Sequence, residues 1–145
     1  MSLTTILETK ARAVITAHPD EPLLCAIESL DHHGIGALVV TVDGREILGI
    51  VSERDVVRML QAHGPGALLL PIREAMTSDV TCTTVDRGVD ELMAIMTNQR
   101  IRHIPVVDEG GDLRGIISIG DVVKRRLEDL EHERAALIDY ITLGG

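Results

Sequence analysis

Two segments of the 145-residue chain carry a serine and an aspartate at one spacing: Gly49-Ile-Val-Ser52-Glu-Arg-Asp55 and Gly115-Ile-Ile-Ser118-Ile-Gly-Asp121. In both, a strand-like run gives way to a helix at the serine. One reading is structural. Ser-x-x-Asp is a helix N-cap pattern, in which the hydroxyl satisfies an amide of the first turn and the acid offsets the positive end of the helix dipole. The other reading is chemical. A helix start offers free N–H groups and partial positive charge to an anion such as phosphate. The hydroxyl adds a donor, and a carboxylate one turn further in can accept two hydrogen bonds from the vicinal hydroxyls of a ribose, as the acid of dinucleotide folds does. Glycine at 49 and 115 allows close backbone approach. Both readings stand at this point.

Nothing else in the sequence offers catalytic chemistry. There is no G-x-S-x-G, no P-loop and no Cys–His grouping with a third partner. His32 and His33 are adjacent and point apart on a helix, while His132 and Glu128 make one i,i+4 pair, short of the four ligands a structural zinc site needs. Cys25 and Cys82 form no CxxC and read as small core residues, with no support for a disulfide. The chain is expected to be neither an enzyme nor a metal protein.

The elements that position the two motifs repeat with them. At the 66-residue offset from Asp55 to Asp121, Val14 falls on Val80, Asp20 on Asp86, Ile35 on Ile101, Val40 on Val106 and Gly44 on Gly110 without a gap. The chain is a tandem duplication. In the first copy, Ala13 to Ala17 is strand-like and Asp20 is placed to cap a helix carrying Leu23, Ala26, Ile27 and Leu30, which Gly34 ends. Ala37 to Val42, the turn Asp43-Gly44 and Ile47 to Val51 read as a β-hairpin. A helix follows Ser52 with Val56, Val57 and Leu60 on one side. The second copy reads as strand Val80 to Thr84, helix Val89 to Asn98, strands His103 to Val107 and Leu113 to Ser118 around Glu109-Gly110-Gly111, and a last helix. A break at Ala62 to Gly66 and a short helix over Pro71 to Met76 join the copies.

Composition agrees with a compact pair. The chain is 45% apolar but has no Phe, no Trp and one Tyr, so its core must be aliphatic. A unit of about 60 residues buries too little surface to stand comfortably alone, and two are expected to pack sheet to sheet. The net charge of −9 argues against a general nucleic-acid binder, which needs a basic face, though a local cluster can still hold one nucleotide. No apolar run approaches the roughly 20 residues of a membrane span, and no signal-peptide stretch opens the chain; the expected location is the cytoplasm.

In GIVSERD and GIISIGD, GALVV, RIRHIPVVD and EAMTSDV, the chain resembles the CBS domain, and in particular a stand-alone tandem CBS pair, or Bateman module, from about Ile6 to Arg126. The resemblance implies an α/β (α+β) fold of two pseudo-symmetric βαββα units, CBS domain 1 over 7–62 and CBS domain 2 over 72–130, followed by a C-terminal helical extension over 131–145. It also implies a non-catalytic regulatory module that binds AMP, ATP or an NAD-type dinucleotide between the units and requires no cofactor. S-adenosylmethionine sensing is an alternative, as is an interaction protein whose motifs only cap helices.

Carried over residue by residue, the resemblance makes Asp55 and Asp121 ribose-binding acids and Ser52 and Ser118 hydroxyls near sugar or phosphate. Thr16 and Thr83 match adenine-facing positions. Gly36-Ala37-Leu38 and His103-Ile104-Pro105 match the strand lining the base pocket, and Arg54, Arg102 and His103 match basic positions towards phosphate. The copies are not equivalent: Gly36-Ala37 stands where the second copy has Arg102-His103, and Glu53-Arg54 where it has Ile119-Gly120. Gly120 is expected to admit a phosphate and Arg54 to supply charge; the second motif is the better candidate. The last helix, Gly120 to Ile141, carries Val123, Leu127, Leu130, Leu137 and Ile141 in a stripe interrupted by Arg134. That stripe reads either as packing on the segment around Ile6 and Leu7 or as a homodimer contact, which the resemblance favours. An effector protein is implied but not named by the sequence.

Overall fold

The structure is a computed structural model describing residues 3–10 and 14–144. Its elements run α1 (Leu3–Lys10), β1 (Thr16–Ala17), α2 (Leu23–His33), β2 (Ala37–Val40), β3 (Gly49–Ser52), α3 (Glu53–His63), a 3-10 turn (Gly64–Leu69), α4 (Ile72–Ala75), α5 (Val89–Gln99), β4 (His103–Val107), β5 (Leu113–Ser118) and α6 (Ile119–Gly144). The mixed α/β order of the duplicated pattern is realised, with a long helix at the end. Ala13, assigned to the first strand by sequence, and Gly145 lie outside the described residues.

The chain divides into two compact bodies, and the division does not follow the sequence repeat. One body holds residues 14–84 and 104–116; the other holds 3–10, 85–103 and 117–144.

In the first body β1 pairs parallel with β2 and β2 antiparallel with β3, so that Thr16 meets Val39, Ala37 meets Ser52 and Val40 meets Gly49. All four residues of β2 are buried, which explains an unbroken apolar run where a one-sided strand would alternate. The core is aliphatic, with Leu23, Leu30, Leu38, Val40, Val51, Met59 and Ile72 at its centre. Gly34 ends α2 in the left-handed conformation (φ 61°). In the Asp43-Gly44 turn, Asp43 Oδ1 accepts the amides of Arg45 and Glu46 at 2.8 and 2.9 Å.

The segment that begins the second copy lies in this same body. Ile72 of α4 is fully buried, and Thr77 exchanges backbone hydrogen bonds with Ile50 of β3 in both directions, at 3.0 and 2.8 Å. Gly49 makes that approach feasible: a Cβ there would stand 2.7 Å from Met76 Sδ and 2.8 Å from the Thr77 carbonyl oxygen. The neighbour for which Gly49 leaves room is therefore the chain's own backbone.

The second body pairs α5 with α6 and buries Leu3, Ile6, Val89, Leu92, Met96 and Val122. Its α1 is the counterpart of α4: at the 66-residue offset Ile6 corresponds to Ile72, and both are buried. Each copy's leading helix thus lies in the body that holds the other copy's Ser-x-x-Asp helix.

Several expectations change. Asp20 does not cap α2. The N-cap position is Pro22, the Leu23 amide is satisfied by the Leu70 carbonyl at 2.8 Å, and Asp20 pairs instead with Arg73. On α3 the buried apolar residue is Met59, whereas Val57 is 66% exposed. The strand expected over Val80 to Thr84 reduces to a single parallel bridge between Thr83 and Val106. Neither cysteine is a core residue: Cys25 is half-buried and Cys82 exposed, both as free thiols. On α6 the stripe from Val123 to Ile141 is exposed throughout. The residues bordering α1 are instead Asp121, Lys124, Arg125 and Glu128, from the first turns of that helix.

Candidate functional site

Both motifs fold into the same local device. The amide of the residue after each serine donates to the residue just ahead of the copy's first hairpin strand: Glu53 N–H to the Gly36 carbonyl at 3.1 Å, and Ile119 N–H to the Arg102 carbonyl at 2.8 Å. Each pair of serine and aspartate is a reciprocal cap. Ser52 N–H donates to Asp55 Oδ2 at 2.8 Å and Asp55 N–H to Ser52 Oγ at 3.4 Å; Ser118 N–H donates to Asp121 Oδ2 at 2.9 Å and Asp121 N–H to Ser118 Oγ at 3.2 Å. The capping function is real in both copies.

The carboxylates diverge beyond the cap. Asp55 Oδ2 also accepts from Ser52 Oγ at 3.0 Å, while its Oδ1 takes the Arg58 guanidinium and the Thr77 hydroxyl, the latter at 3.5 Å. Only 5% of the Asp55 side chain is exposed. Both oxygens are occupied, and the group is closed to a ligand in this conformation.

Asp121 is different. Its Oδ2 accepts Lys10 Nζ at 2.7 Å in addition to the Ser118 amide, and its Oδ1 accepts nothing among the described residues. The side chain is 22% exposed. Burial pushes its pKa up, but the Lys10 ammonium and the Ser118 amide and hydroxyl outweigh burial and hold it below the ordinary carboxylate range. The group is an anion with one free acceptor oxygen. Lys124, at the position corresponding to Arg58, makes no ion pair with it.

The helix start beside Asp121 is open too. Ile119 and Gly120 are exposed, and a Cβ on Gly120 would meet only Ser118 Oγ, at 3.6 Å. Packing does not demand a glycine there. On one side of α6, Asp121 borders a cavity of about 170 Å³ shared with Thr5, Thr9, Lys10, Lys124, Arg125 and Glu128.

The remaining candidates fall within the two bodies as follows. Ala37 lies directly across from Ser52, and Leu38 across from Val51. Thr16 pairs with Val39, and Arg54 is exposed. Thr83 is buried at 3% exposure; its amide donates to the Pro105 carbonyl at 3.0 Å and its carbonyl accepts from Val107 at 2.8 Å, which ties it to β4, the strand of Ile104 and Pro105, by the single bridge to Val106. At the 66-residue offset the counterpart of Thr83 is Ala17, not Thr16, so the two threonines are not strict equivalents. Arg102 lies beside the second motif through its carbonyl, its side chain exposed, and His103 begins β4 half-buried. Among the described residues no cluster of His, Cys, Asp and Glu is arranged to hold a metal, and no helix is long and apolar enough to cross a membrane.

Sequence reading missed Lys10, Arg58 and Thr77. Arg58 carried a local signal, since it lies three residues beyond Asp55 on a helix. Lys10 and Thr77 are distant in sequence from the acids they meet, and neither local spacing nor the repeat register signals the contacts, since their counterparts are Met76 and Ala11.

The family model for the CBS domain matches residues 10–62 and 72–128. The chain is 35% identical over 129 residues to the mitochondrial CBS domain-containing protein CBSX3 of Arabidopsis thaliana, covering 86% of this chain and 62% of that protein. It thus spans about three fifths of that relative's length. Among solved structures, the CBS-domain containing protein ATU1752 from Agrobacterium tumefaciens superimposes with a TM-score of 0.82 at 41% identity, covering 87% of this chain and 99% of that one. The CBS domain pair of MJ0100, in complex with 5'-methylthioadenosine and S-adenosyl-L-methionine, gives a TM-score of 0.78 at 25% identity, covering 89% and 98%.

Proposed function

The chain belongs to the CBS-domain family, and from that premise we propose that it is a non-catalytic regulatory module holding an adenine nucleotide, AMP, ATP or an NAD-type dinucleotide, at the Asp121 motif. The observation that carries the reading is Oδ1 of Asp121, which among the described residues accepts no hydrogen bond, on an anionic carboxylate beside an exposed helix start. In this reading Asp121 takes the ribose hydroxyls, and Ser118 and the amides from Ile119 onwards meet the phosphate. Arg102, in the same body, supplies positive charge, and His103 a hydrogen-bonding ring. The first motif, with Ser52, Asp55, Thr16, Ala37 and Leu38, is a second site only if Arg58 releases Asp55.

We read the chain as CBS units over 7–62 and 72–130 with an extension over 131–145, acting in the cytoplasm. Ligand shifts a conformation that an effector protein reads. We read the exposed stripe Val123, Leu127, Leu130, Leu137 and Ile141 as the contact of a homodimer.

Thermal unfolding with AMP, ATP, NAD and S-adenosylmethionine tests the proposal. The expected result is a rise in melting temperature with an adenine nucleotide in the wild-type chain and none in Asp121→Ala. A wild-type chain indifferent to all four ligands would overturn it. The reciprocal caps favour a second reading, in which both motifs serve the fold alone; that reading requires Asp121→Ala to change stability and nothing else.

A further inference from the structure

We propose that Lys10 makes the Asp121 site selective for a phosphorylated, negatively charged ligand over an uncharged nucleoside or a cationic sulfonium. The inference rests on the ribose-binding role given to Asp121 above and adds the charge class of the ligand.

A carboxylate that holds a ribose faces an electrostatic conflict. Its charge lies close to the helix start where the ligand's phosphate would sit, and the two anions repel. In water the repulsion would be slight; beside a half-buried group it is not. Something must cancel the carboxylate's charge without occupying the oxygen that the sugar needs. Lys10 is placed to do so. Its ammonium lies 2.7 Å from Oδ2, the oxygen already engaged by the cap, and leaves Oδ1 free. Lys124 and Arg125 border the same cavity, but Arg125 pairs with Glu128 and Asp129 at 3.7 and 3.5 Å, so the cation that meets the Asp121 carboxylate is Lys10.

The first copy shows the alternative arrangement. There the cation is Arg58, on the same helix as Asp55, and it neutralises the acid by taking Oδ1, the corresponding oxygen. At the 66-residue offset the counterpart of Lys10 is Met76, which carries no charge. A cation delivered from a separate helix to the capped oxygen is thus particular to the second copy. It combines two properties that Arg58 cannot: a neutralised acid and an open acceptor.

Isothermal titration of the full chain with AMP and with adenosine, for wild type, Lys10→Met, Lys10→Arg and Asp121→Asn, tests this. Wild type is expected to bind AMP about tenfold or more tighter than adenosine, the scale of one nearby unit charge. Lys10→Met should lose most of that ratio through weaker AMP binding while adenosine changes less than about twofold. Lys10→Arg should retain it, which separates loss of charge from loss of α1 packing. Added salt should narrow the ratio in wild type and not in Lys10→Met. An AMP-to-adenosine ratio that is the same in Lys10→Met and wild type would overturn the inference while leaving the site intact. If Asp121→Asn binds both ligands as wild type does, the ribose-binding reading itself falls, and this inference with it.

Discussion

Asp55 and Asp121 occupy the same place in the same cap, yet one is sealed and the other open. The difference lies in which neighbour supplies the positive charge. Arg58, three residues along the same helix, reaches over Asp55 and joins Thr77 on Oδ1, so that acid contributes wholly to the fold. Lys124, one methylene-chain charge in the corresponding position, leaves Asp121 to Lys10, which approaches from α1 and engages only Oδ2. Duplication supplied two identical caps. The cations around them differ, so that both oxygens of Asp55 are engaged while Oδ1 of Asp121 meets no donor among the described residues.

The largest expected effect concerns what packs against the first cap. Gly49→Ala would drive a methyl group into Met76 and the Thr77 carbonyl, and should lower stability by about 2–3 kcal/mol, read as the shift in a urea midpoint. A loss below about 0.5 kcal/mol would mean that the segment covering Asp55 moves freely, and the contrast between the copies would weaken.

The acids themselves should rank next. Asp55→Ala removes a buried carboxylate and leaves the half-buried Ser52 amide and the Thr77 hydroxyl without their acceptor, and should cost about 2 kcal/mol. Asp121→Ala should cost about 1 kcal/mol, in line with the loss of a cap alone. Chemical unfolding of the two variants side by side measures this, and the opposite order would erase the distinction drawn here.

The smallest effect concerns the ends of α2 and α5. Gly34 adopts the left-handed cap at φ 61°, and its counterpart Arg100 adopts it at φ 56° with a side chain that such a conformation disfavours. Arg100→Gly should therefore stabilise the chain by about 1 kcal/mol. No gain in the melting curve would show that the Arg100 side chain compensates for its backbone.

What could be read from the sequence followed from local physics. The Asp43-Gly44 turn, the Gly34 cap and the span of α5 depend on residues within a few positions of one another, and each appeared where expected. Features decided at long range did not show. Asp20 looked like a cap until the Leu70 carbonyl met the Leu23 amide, and the apolar run Val80 to Thr84 became one bridge through tertiary context. Ser-x-x-Asp announced both candidate sites but not their difference, because Lys10 lies 111 residues from Asp121 and Thr77 lies 22 from Asp55.

The placement of α1 and α4 also bears on how such a molecule came to exist. A chain bearing one copy would carry a leading helix that seats on the other copy's cap and has no seat on its own. Two such chains would have to trade helices, each completing its neighbour, at a concentration high enough to keep them together. With both copies on one polypeptide the exchange is independent of dilution. By the same reasoning, severing the chain between the copies should yield halves that are each incomplete until they meet again.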